Sequence, residues 1–210
     1  MAFFRIFFAA LTLAAAAQAQ EGSPATSTGQ EGQLIPAPLP AFAVTGPRAK
    51  YVHDMVVDRE LNPTVAIIAA KPPEKPTEPF AVLLQKLETL AADNKPAHFG
   101  AFAVFSTLEK PIGDDPTGGA AVGAAEGLAK DLKLKEVELG LIHLSEAPLA
   151  AYGIDKEKFD KENEIVVLVY NRHKIERRLT FSKDKPLTEA AAGEIVAAAE
   201  KMLPPKKKSK

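Results

Sequence analysis

The chain has 210 residues, 46% of them apolar and 25% charged, a composition that buries a core of ordinary size and excludes a disordered chain. It has no cysteine, which removes disulfides, thiol catalysis, thiol–disulfide exchange, iron–sulfur ligation and thiolate zinc sites together. Net charge is −1, and without Arg5 and the four lysines of the terminal "PPKKKSK" there remain 21 basic against 27 acidic groups, a mildly acidic body that argues against nucleic acid as a partner.

The first stretch, "MAFFRIFFAALTLAAAAQAQ", places Arg5 before an apolar run from Ile6 to Ala17 and small residues at Ala17 to Ala19. This reads as a secretory signal over residues 1–19, with an uncleaved N-terminal anchor as the plainer alternative. The run is shorter than the ~20 residues that span a bilayer, so no transmembrane segment is expected after signal cleavage. Without a following cysteine a lipoprotein anchor is excluded. The expected location is secreted or periplasmic.

Residues 20–40, "QEGSPATSTGQEGQLIPAPLP", are rich in Gly, Ser, Thr and Pro and read as a flexible tether that stiffens toward "IPAPLP". A domain is expected over residues 41–204. It opens on "AFAVTGP", a brief strand closed by a Gly-Pro turn, and "RAKYVHDMVVDRELN" follows as a short helix or loop ended by Asn62-Pro63. "TVAIIAA" has the continuous apolar character of a strand buried on both faces. After the prolines of "KPPEKP", the positions of Phe80, Leu83, Leu84, Leu87 and Leu90 predict an amphipathic helix.

The same alternation recurs. "HFGAFAVFS" predicts a strand, "GGAAVGAAEGLAKDLKL" a helix packed on its own sheet, and "VELGLIHL" another strand. "KEKFDKENE" reads as a solvated loop or helical turn around Phe159. "EIVVLVYNRHKIERRLTF" predicts a hairpin with a tight "NRHK" turn and an imperfectly alternating second strand. "LTEAAAGEIVAAAEKML" predicts a final helix capped by Thr188 and stopped by Pro204. Residues 205–210 form a basic tail, read as a solubilising terminus or as a weak attachment to an anionic surface.

Strands alternating with helices imply an α/β fold: a central, mostly parallel sheet with an antiparallel hairpin at one edge and helices on both faces. This element order, together with the "VAIIAA" junction and "YGI" at Tyr152 to Ile154, resembles the thioredoxin-like fold, as elaborated in peroxiredoxins and related secreted proteins. In thioredoxins the strand matching "VAIIAA" leads to a Trp-Cys-x-x-Cys turn at the start of the next helix, where the positive helix end stabilises the reactive thiolate. The resemblance places Pro73 and Pro76 at the two cysteine positions, a degenerate redox motif that can form no thiolate. It also implies a cis-proline facing the cysteines, and this sequence has no proline at the start of the corresponding strand; Pro148 is left to serve a turn of its own.

Other chemistry has thin support in the residues. His53 and Asp54 are the leading metal or acid–base candidates, with His98, His143 and His173 scattered elsewhere and no pair at i, i+4 ligand spacing. Met55 beside them raises a copper site, but the cysteine ligands of thioredoxin-fold copper chaperones are absent. "IGDDPTGG" fits neither a calcium loop nor a phosphate loop and reads as turn and capping residues. Ser106, Ser145 and Ser182 have no nucleophile-elbow setting. No cofactor is called for. The expectation is an exported binding or structural module, with thiol oxidoreductase and peroxidase activity excluded and an unidentified protein or envelope component as partner. A metal-assisted enzyme or metal-binding protein on the same fold is the alternative.

Overall fold

"TVAIIA" is apolar or β-branched at every position, and in the structure all six residues are buried in a strand at the centre of a sheet. The computed structural model describes residues 29–36, 38–107, 119–144 and 148–205. The elements run β1 (Pro40–Ala43), β2 (Val52–Asp54), β3 (Thr64–Ala69), α1 (Pro79–Asp93), β4 (Gly100–Phe105), α2 (Ala120–Leu132), β5 (Val137–Leu141), α3 (Lys156–Lys161), β6 (Ile165–Asn171), β7 (Lys174–Phe181) and α4 (Glu189–Lys201). The expected signal, the "IGDDPTGG" loop apart from Gly119, Ser145 and the lysine tail from Lys206 lie outside the described residues.

One seven-stranded sheet forms in the order β2-β1-β5-β4-β3-β6-β7. Only β3–β4 and β4–β5 pair in parallel, and the other four pairings are antiparallel. The sheet is therefore mixed, where a mostly parallel one is expected from the sequence. The reason lies in "RAKYVHD", which supplies strand β2 and closes a second hairpin with β1 at the opposite edge from β6–β7. Connections of the βαβ kind make only the middle three strands parallel.

The two faces are covered differently. On one, Val65, Ile67 and Ala69 pack with Phe80, Leu83, Leu84 and Leu87 of α1, Val122 and Ala125 of α2, and Ile195 of α4. Each large side chain buried there contributes about 1.5–3 kcal/mol. On the other, Ile68, Phe102 and Leu168 are covered by Leu39, Met55, Tyr152 and Phe159. The long helices thus share one face, and the second face is closed by the six-residue α3, a 3-10 turn over Leu149–Tyr152 and the chain entering β1. Met55 is fully buried in this second core. Phe159 is the reason "KEKFDK" folds as a helix: it is fully buried, and Asp155 caps the first turn by accepting from Glu157 N and Lys158 N.

Part of the expected tether is docked. Gly32 N donates to Ile175 O (2.8 Å), Ile175 N to Gln33 O (2.8 Å) and Ile35 N to His173 O (2.6 Å), so residues 32–35 cover the outer edge of β7. Ile35 and Leu39 are buried, which a free linker would not be. The imperfect alternation of β7 has a local cause: a bulge between Val169 and Tyr170, with Glu176 as the extra residue.

Candidate functional site

Strand β3 ends at Ala69, and its chain continues through Lys71, Pro72 and Pro73 before α1 begins with Pro79 at the first helical position. Proline suits that position because its fixed φ matches the helix and its missing N–H has no helical acceptor there. Glu78 precedes it in an extended conformation and makes no side-chain cap, and no acidic residue lies in the first turn. The positive end of α1 is consequently left without a capping carboxylate.

A cleft of about 220 Å3 opens beside this loop. One wall is Lys71, Pro72, Pro73, Glu78, Pro79 and Phe80, and the other includes Asn163, Ile165, Phe181, Ser182, Lys183 and Leu187. The register aligns Ala69, Ile165 and Phe181 in a row across β3, β6 and β7, so the chain leaving β3 and the chain leaving β7 flank the start of β6. Pro73, Phe80, Phe181 and Leu187 are buried, and Pro76 is exposed. The two proline positions singled out from the sequence therefore differ: the first is a wall of the cleft, the second faces solvent. Asn163, with φ 51°, stands just before β6.

Charges around the cleft are few. Lys183 Nζ donates to Lys161 O at 2.7 Å, and Glu78 Oε2 accepts from Glu74 N at 3.3 Å. Among the described residues the Lys71 side chain has no hydrogen bond or ion pair. Glu164, beside Asn163, has its carboxyl pushed above the usual range, chiefly by burial, with Arg178 opposing. The lining is made of lysine, proline, aliphatic and aromatic side chains with Asn163, Ser182 and the single carboxylate of Glu78.

His53 and Asp54 do not meet in a site. They alternate on β2: Asp54 Oδ1 accepts from Leu39 N (3.2 Å), Val56 N (2.9 Å) and Val57 N (3.0 Å), which commits it to closing the turn after the strand. His53 joins a buried ionic network at the other end of the sheet. Its Nδ1 contacts Asp58, its Nε2 lies 3.1 Å from Glu138 Oε1, and Arg59 Nη2 donates to Glu138 Oε2 at 2.6 Å. Arg48 Nη1 pairs with Asp58 at 2.8 Å, and the Arg59 guanidinium lies 5.9 Å from the centre of the Phe102 ring. Gly46 makes room for the network, because a Cβ there would stand 2.8 Å from Glu138 Oε1, and its φ of 91° suits only glycine. Among the described residues no group of three or more His, Asp or Glu is arranged to hold a metal ion. His98 follows the 3-10 turn Lys95–Ala97, His143 follows β5, and His173 occupies the β6–β7 turn, so the histidines stay apart. Ser106 follows β4, and Ser182 lines the cleft.

The sequence singles out the β3–α1 loop but not the second wall, which begins at Asn163 well beyond Phe80 in the chain, nor the ionic network. A signal for the network was present: Glu138 is a lone charge in the apolar run "VELGLIHL".

Solved structures share this fold. Reduced Prx3 from Vibrio vulnificus, determined with hydrogen peroxide, is 10% identical, with 81% of this chain and 95% of that one covered at a TM-score of 0.54. Peroxidoxin BcpB from Mycobacterium tuberculosis is 12% identical, with 82% and 97% covered and a TM-score of 0.51. The fold is thioredoxin-like. A bacterioferritin comigratory protein from Xanthomonas campestris gives the same result at 12% identity, 80% and 98% coverage and a TM-score of 0.51. No family model matches the chain, and no curated protein matches it. At these identities the likeness is one of fold, and the thioredoxin-like scaffold here carries no cysteine in any of its 210 residues. Among the described residues no helix is long and apolar enough to cross a membrane.

Proposed function

We propose that this is an exported thioredoxin-like protein that binds a partner without catalysing a reaction, and that the cleft beside the β3–α1 loop is where it binds. The observation that carries the reading is the cleft itself: an apolar recess formed by buried Pro73, Phe80, Phe181 and Leu187, at the strand-to-helix junction that the resemblance equates with a redox motif. Concave apolar sites with a few charged groups at the rim are what binding sites require. With no thiol in the chain, disulfide exchange has no nucleophile.

Export rests on the charged, apolar and small-residue regions of residues 1–19. The intact mass of the exported protein should correspond to a chain beginning at Gln20. Binding is tested by placing a photo-crosslinking residue at Ser182 in the cleft or at exposed Glu126 on α2. A discrete adduct with an envelope protein is expected from position 182 and not from 126. Equal labelling from both positions, or catalysis of insulin reduction by the pure protein, would overturn the reading.

A further inference from the structure

We infer that the cleft receives the C-terminal residue of a partner polypeptide, with its apolar side chain on the floor and its α-carboxylate between Lys71 and Lys183; this rests on the binding role just proposed. Size is the first argument. At about 220 Å3 the cleft falls below the roughly 300–1,000 Å3 of sites that enclose a whole drug-sized ligand. It suits one anchoring side chain of a larger partner, the arrangement that dominates binding energy at protein interfaces.

The floor and rim then define that residue. Pro73, Phe80, Phe181 and Leu187 are buried and present no side-chain polar group, so an apolar side chain leaves nothing unsatisfied there. At the rim two lysines face one carboxylate, and Glu78 is already engaged by Glu74 N. The Lys183 ammonium has one of its three hydrogens on Lys161 O, and the Lys71 side chain has no partner among the described residues. Both lysines lie two residues beyond the Ala69–Ile165–Phe181 row. At the row itself two strand spacings, about 10 Å, separate β3 from β7, a gap that two flexible lysines can close on one carboxylate. One added negative charge balances the rim.

A chain terminus meets these demands better than an internal acidic residue. In an extended peptide, neighbouring side chains point to opposite faces. An apolar residue and an adjacent Asp or Glu would not enter a one-residue cleft together, whereas a C-terminal residue carries its carboxylate on its own Cα.

The test is a titration of the full chain followed by 1H–15N correlation spectra. The probes are acetyl-Gly-Gly-Phe as free acid, its C-terminal amide, acetyl-Gly-Gly-Gly acid and 3-phenylpropionate. The Phe acid should move the amides of Phe80, Ser182 and Lys183 and bind at least roughly threefold more tightly than the Phe amide, the size expected for a solvent-exposed ion pair. Lys71→Gln, an exposed substitution, should reduce that difference, and Lys71→Gln with Lys183→Gln should abolish it, while leaving the free protein's spectrum otherwise intact. Equal binding of acid and amide would overturn the carboxylate, and equal binding of the Gly and Phe acids would overturn the apolar anchor. Phenylpropionate matching the Phe acid would assign the cleft to small carboxylates and sink the peptide assignment. No response to the Phe acid overturns the inference outright. An adduct from Ser182 obtained all the same would preserve the binding role, and its absence would remove both.

Discussion

Glu138 shows how much a single buried charge is asked to hold. Its side chain is 5% exposed and that of His53 6%, and its two oxygens face His53 and Arg59. Removing Glu138 leaves the Arg59 guanidinium, with its side chain 21% exposed, without its carboxylate, and loss of one partner of a buried pair typically costs about 3–5 kcal/mol. Glu138→Ala should therefore lower unfolding free energy by about that amount in urea titrations, with Glu138→Gln costing less because it keeps its shape and part of its hydrogen bonding. Tyr152 is the opposite case. It is fully buried, and its hydroxyl has no hydrogen-bond partner among the described residues. Because an unpaired buried hydroxyl is a cost, Tyr152→Phe should be neutral or stabilising by up to about 1 kcal/mol at pH 7. Burial, with Asp54 and Tyr170 adding, pushes the Tyr152 phenol well above its ordinary value of 10.0. The folded state then holds this proton more tightly than the unfolded chain, so the stability tied to it is fully present below about pH 10 and is lost as pH rises beyond. Above pH 10 the denaturation midpoint of the wild type should fall more steeply than that of Tyr152→Phe. A parallel fall in the two proteins would contradict this account.

At the scale of elements, local chemistry explains most of the boundaries. Thr188 caps α4, its Oγ1 accepting from Ala191 N at 3.2 Å, as its position before the alanine-rich run predicts. Thr188→Ala should cost about 1 kcal/mol and Thr188→Ser should recover most of it, both read from urea midpoints. The β6–β7 turn holds Arg172 at φ 50° and His173 at φ 61°, two positive values in residues that resist them. Replacing the pair by Asn-Gly, which adopts this hairpin turn without strain, should stabilise the protein by about 1 kcal/mol in the same measurement. Neither substitution touches the cleft.

For the whole molecule, the open edge of β7 is the feature that most needs management. Residues 32–35 cover part of it, Glu31 Oε1 accepts from Arg178 N at 3.0 Å, and Arg178 Nη1 donates to Gly29 O at 3.0 Å and Tyr152 O at 2.7 Å. One arginine thereby fastens the entering chain to both the sheet edge and the second face. A chain starting at Pro36 loses the two backbone hydrogen bonds to Ile175 of β7, the one to His173 in the turn before it, and the burial of Ile35, a loss of about 3–5 kcal/mol. It should melt earlier and self-associate through the bared strand in size-exclusion chromatography. Unchanged melting would mean that the docked segment is decoration.

Elements whose signals are local are legible in the amino-acid order alone. β3, α1, β4, α2 and α4 follow from runs and spacings within about fifteen residues, and the absence of cysteine settles the thiol chemistry with no structure at all. Even the β3–α1 junction could be singled out, because a strand signal running into clustered prolines is visible over a short window. The remaining features come from folding in three dimensions, because each joins distant parts of the chain. β2 becomes a strand by pairing with β1, the chain before β1 becomes ordered by docking on β7, and His53 finds Glu138 85 positions away. The cleft needs one wall from residues 71–80 and another from 163–187, brought together by the β3–β6–β7 register. Side-chain periodicity reports which face of an element is apolar. It carries no information about which other element will cover that face, and on that pairing the site depends.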